Sequence, residues 1–87
     1  MKVIDTIRER LAILTPQLLE ITDDSALHAG HAGAASGGGH FRMTIVSALF
    51  AGQPTISRHR MVYDALGAMM KHEIHAMSII AKTPDET

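Results

Sequence analysis

Between Val3 and Leu14 the apolar residues Ile4, Ile7, Leu11 and Leu14 recur at spacings of three and four. Arg8, Glu9 and Arg10 lie between them, so the chain opens on an amphipathic helix that Pro16 stops. From Gln17 to Asp23 the period shortens to two, with Leu19 and Ile21 on one side and Glu20 and Thr22 on the other. This pattern predicts a first strand, and Asp23-Asp24-Ser25 supplies its closing turn chemistry. Alternation resumes from His40 to Ser47, setting Phe41, Met43 and Ile45 against Arg42, Thr44 and Val46 as a second strand. Helical spacing returns at Ile56, His59, Val62/Tyr63, Leu66 and Met69/Met70, which predicts a helix over roughly Ser57 to Met70 with Thr55 or Ser57 as its cap. Ile74 to Lys82 then alternates as a third strand, with His75, Met77 and Ile79 sharing a face, until Thr83-Pro84 ends it.

Helix, strand, strand, helix, strand is an α+β order, expected to form two layers: a three-stranded mixed sheet with its helices on one face. The first two strands are expected to be antiparallel. A helix of a dozen residues between the second and third strands implies a parallel, right-handed crossover, so these two strands start at the same sheet end. Ala26 to Gly39 contains five of the seven glycines and, after Leu27, no large side chain except histidine, and it reads as a mobile loop. That loop leaves the first strand and enters the second at the same end. The topology therefore gathers His28, His31, His40 and His75 in one region.

Composition narrows the function. A chain of 87 residues is expected to be one domain, 1–87, and to bury only about 60–65% of its unfolded surface, too little for a large enclosed substrate cavity. There is no cysteine, which excludes a disulfide framework, a thiol nucleophile and a self-supplied thiolate metal site. No stretch approaches the roughly 18 uninterrupted apolar residues of a membrane span, so the expectation is a cytoplasmic protein. Eight Lys and Arg against nine Asp and Glu argue against a general nucleic-acid binder, which needs a surplus of positive charge. Six histidines, more than all Phe and Tyr together, are the compositional anomaly.

Neutral imidazole binds iron, zinc, copper or nickel, so histidines on a glycine-rich loop facing one at a strand mouth suit a borderline-metal site. His28-Ala-Gly-His31 is not a zinc-finger spacing, and without thiolates the site is either open or completed by a partner. The plainer readings are a solvated polar loop for His28 and His31, a half-buried core-edge histidine for His75, and a packed helix-start residue for His59. Arg58 and Arg60 turn to nearly opposite sides of a helix, and the methionines read as core filler. No Ser/His/Asp triad, P-loop or GxGxxG is recognisable.

Several segments together carry a resemblance: Asp23-Asp24-Ser25, His28-Ala-Gly-His31-Ala-Gly33, His40-Phe41-Arg42, Ile45-Val46-Ser47, Phe50-x-Gly52, Arg58-His59-Arg60-x-Val62-Tyr63, Ile74-His75-Ala76-Met77-Ser78-Ile79 and Thr83-Pro84. From about Leu19 to Glu86 the chain resembles the BolA family. The resemblance implies a type II KH-like fold and a non-enzymatic adaptor that pairs with a cytosolic monothiol glutaredoxin. In such a pair a [2Fe-2S] cluster is bridged, with thiolates of glutaredoxin and glutathione on one iron. Two side chains of the BolA partner hold the other: the histidine opening the last strand, here His75, and a loop residue, here His28 or His31. The isolated chain is expected to carry no cluster, as a monomer or weak homodimer.

The sequence departs from the family at Gly52-Gln53-Pro54-Thr55, where many relatives have Gly-x-Ser. Ala34 to Gly39 also lengthens its loop. A second implied role is a DNA-binding regulator of the stress or morphology response. That role would use Arg58, Arg60 and Lys71, with Arg42 beside them. A third reading is a mononuclear zinc or nickel site built from histidines alone.

Overall fold

The computed structural model describes residues 2–24 and 39–87. Helix α1 (Val3–Leu11) runs on through a 3₁₀ turn at Ala12–Leu14. Strand β1 (Leu18–Asp23) follows. Strand β2 (Gly39–Val46) leads through a short turn at Ala48–Phe50 into helix α2 (Thr55–Leu66), then a 3₁₀ stretch at Gly67–Lys71, strand β3 (Ile74–Lys82) and a final turn at Pro84–Glu86. The third strand spans the range its alternation predicts. Each helical period fades about one turn early, because the last turn tightens to 3₁₀. Gly67, at φ +56°, takes a left-handed backbone that a side chain would strain, and it ends α2 there.

The sheet order is β1-β2-β3. Strands β1 and β2 are antiparallel, with Leu19 opposite Ile45 and Ile21 opposite Met43. Strands β2 and β3 are parallel, joined through α2 as the connection length requires. The helix-facing side carries Leu19 and Ile21, Phe41, Met43 and Ile45, and Met77, Ile79 and Ala81. These side chains meet Ile7, Leu11 and Leu14 from the α1 segment and Val62, Leu66 and Met69 from the α2 segment in one apolar core. The opposite face, with Glu20, Thr22, Arg42, Thr44, Ser78 and Ile80, is uncovered and forms a shallow concavity. Among the described residues no helix is long and apolar enough to cross a membrane.

Three expectations are corrected. Pro54, not Thr55 or Ser57, holds the N-cap position of α2, and no side chain caps it. Its fixed φ and missing N–H suit an entry where the donor is not needed. Tyr63 lies on the exposed side of α2, because the buried stripe runs through Val62, Ala65, Leu66 and Met69. Gly39 opens β2 rather than ending a loop. The rest of the Ala26–Gly39 loop expectation lies outside the described residues.

Candidate histidine site at the open end of the sheet

Strands β2 and β3 start side by side, with Gly39 opposite Ile74 and the Gly39 N–H donating to the Glu73 carbonyl at 2.9 Å. The end of β1 lies there too, because the Asp24 N–H donates to the His40 carbonyl at 2.7 Å. The chain thus leaves Asp24 toward the segment holding His28 and His31, and returns at Gly39, beside the first residues of β3. His28 and His31 themselves lie outside the described residues.

The register slips by one residue at this corner. Gly39 faces Ile74, but His40 faces Ala76, so His75 is an extra residue with no partner on β2. Ile74 points into the core at 1% exposure, and core-facing alternation restarts at Met77. The bulge takes His75 out of step with Met77 and Ile79, so it is exposed instead of being the half-buried core-edge residue that alternation predicts. Bulges are rare between parallel strands, and they recur where a side chain must be re-aimed.

His40 sits on the uncovered face, one step along from Arg42, and is half-buried. Its ring centroid is 5.1 Å from that of His75, with the planes tilted by 38°. A concavity of about 190 Å³ lies alongside, lined by Asp24, His40, Arg42, Ala76 and Ser78 among others. Arg42 donates from Nε and Nη2 to the two Asp24 carboxylate oxygens, which ties the end of β1 to β2. Sequence reasoning brought His40 to this end of the sheet without giving it a role. Its signal was parity: His40 alternates with Phe41 and shares a face with Arg42.

The basic residues are dispersed. The Arg58 side chain is only 13% exposed. Its Nε donates to the Gln53 carbonyl at 2.7 Å, Nη1 to the Ala81 carbonyl at 3.0 Å and to Glu86 Oε1 at 2.6 Å, and Nη2 to Glu86 Oε2 at 3.1 Å. This guanidinium fastens α2 to the end of β3 and has little left for a phosphate. The Arg58 hydrogen bonds, followed by one from the Thr83 N–H, lower the Glu86 carboxyl from 4.5 to about 2. Arg60 and Lys71 are exposed, on α2 and on the stretch after it, while His59 is half-buried and His72 exposed.

A family model described as BolA-like protein matches residues 11–86. The chain is 45% identical over 86 residues to SufE-like protein 1, chloroplastic/mitochondrial, of Arabidopsis thaliana, covering 92% of this chain and 23% of that protein. It is 34% identical over 87 residues to the DNA-binding transcriptional regulator BolA of Escherichia coli strain K12, covering 99% of this chain and 80% of that protein. The chain spans about half the length, or less, of the first curated relatives it matches. The solved BolA domain of SufE1 from Arabidopsis thaliana superposes with a TM-score of 0.85 at 43% identity, covering 100% of this chain and 99% of that one. Matching sequence along most of its length and matching topology throughout, the chain belongs to the BolA-like protein family.

Proposed function

We propose that the chain is an adaptor that pairs with a monothiol glutaredoxin and shares a bridging [2Fe-2S] cluster with it, for cluster trafficking or iron sensing. His75 and either His28 or His31 are this chain's ligands, and glutaredoxin and glutathione supply the thiolates. The observation that supports this reading is the bulge that leaves His75 exposed beside both ends of the segment holding His28 and His31. A cysteine-free chain contributes imidazole alone, and an exposed imidazole next to an open concavity suits an iron that a partner also holds. Imidazole in place of thiolate lowers the cluster's negative charge and raises its potential, as in Rieske-type centres. Each histidine must be neutral to bind, so mild acid should release the cluster, which favours handing it on over storing it.

The test is anaerobic reconstitution with a monothiol glutaredoxin, glutathione, iron and sulfide, followed by visible absorption and circular dichroism. The mixed complex should give a spectrum that His75→Ala and one of His28→Ala or His31→Ala abolish. An unchanged spectrum in His75→Ala would overturn the ligand assignment, and failure to form any mixed cluster would overturn the adaptor reading.

A second reading, DNA binding, is favoured by the name of the Escherichia coli relative. With Arg58 committed to Glu86, it rests on Arg60 and Lys71. Salt-dependent retardation of promoter DNA, weakened by Arg60→Ala and Lys71→Ala, is its expected signature. Retention of full affinity in the double variant would sink it.

A further inference from the structure

The His40–His75 pair has a geometry of its own. Two imidazoles on one cation have metal–nitrogen bonds of about 2.0–2.1 Å, which puts each ring centre about 3.2 Å from the ion. At cis or tetrahedral angles the ring centres are then about 4.5–5.2 Å apart. The observed 5.1 Å lies within that span. The backbone fixes this spacing: the His40 carbonyl accepts from Asp24, the Gly39 N–H is held by Glu73, and the bulge places His75 next to His40. The ring torsions can adjust within this frame, because imidazole χ2 is soft. Among the described residues no third histidine or carboxylate joins the pair as a cation site.

We propose that His40 and His75 form a two-imidazole chelate for a borderline divalent cation, carried by the folded sheet itself. It needs neither a loop histidine nor a partner's thiolate. Because the site is open and imposes little geometry, its preference should follow the intrinsic order, with Cu²⁺ bound more tightly than Ni²⁺ and Ni²⁺ more tightly than Co²⁺. The site shares His75 with the cluster-sharing reading but needs neither the loop histidines nor a glutaredoxin, so its test uses the isolated chain and the metal alone.

Untagged protein carrying His28→Ala and His31→Ala is titrated calorimetrically with Ni²⁺ and Cu²⁺. Binding of one equivalent should persist in this background. Adding His75→Ala should weaken it at least tenfold, and so should adding His40→Phe, which keeps a ring against His75 but removes the donor. Far-ultraviolet circular dichroism of the same samples checks that each variant is folded, and His40→Gln replaces His40→Phe if the latter is not. Loss of binding on removing His28 and His31, or unchanged binding without the His40 imidazole in a folded variant, would overturn the proposal.

Discussion

The two ends of the sheet are built from the same three strands but differ in how their polar groups are engaged. At the end where β2 and β3 finish, the polar groups form a closed set. The buried Ser47 hydroxyl donates to the Leu14 carbonyl at 2.6 Å and accepts from the Leu49 N–H at 3.1 Å, while the Ser47 N–H donates to the Lys82 carbonyl at 2.9 Å. Arg58 and Glu86 complete the lock across α2, β3 and the final turn. At the opposite end the register is broken, two imidazoles meet near the surface, and the chain departs toward two more histidines. The contrast sets side chains engaged in holding the fold against the exposed end to which the proposed site is assigned, and stability and binding should respond to different substitutions.

The largest effect should come from the core at the locked end. Phe50 is fully buried, and Phe50→Ala should cost about 3–5 kcal/mol, enough to leave the domain close to unfolding by urea titration. Ser47→Ala comes next, at about 1–3 kcal/mol by the same titration, because it strands a buried carbonyl and a backbone donor.

Glu86→Gln tests the lock through pH. The folded carboxyl titrates near 2 instead of 4.5, so its contribution is present above 4.5 and is lost as the pH falls toward 2. Thermal melts should show wild type more stable than the variant at pH 6, with the gap closing over that interval. A gap independent of pH would show that the ion pair is not its source. The smallest stability change belongs to the open end. His75→Ala removes an exposed side chain from outside the ladder and should alter stability by no more than about 0.5 kcal/mol, while abolishing the reconstituted cluster spectrum. A large loss of stability in this variant would erase the distinction between the two ends.

Periodicity alone determined the five main elements, their order and the parallel pairing of β2 with β3. Burial of an apolar stripe and the reach of a helical connection are properties of sequence and spacing. Phe41, Met43 and Ile45 face the core because β2 keeps an unbroken period of two. The same logic brought His40 and His75 to one end of the sheet. His75 was misplaced by it: shared parity set His75 on one face with Met77 and Ile79, but buried Ile74 and partly buried Met77 lie three residues apart and both meet the core, with the bulge between them. Arg58 and Arg60 were likewise indistinguishable as residue types. Which of them becomes a structural clamp depends on Glu86 and the Ala81 carbonyl arriving from the end of the chain. Local pattern settles which way a side chain points within a regular element. Register, and the partner a side chain meets from a distant segment, are decided by how the elements pack, and the distinction between site and scaffold in this protein rests on both.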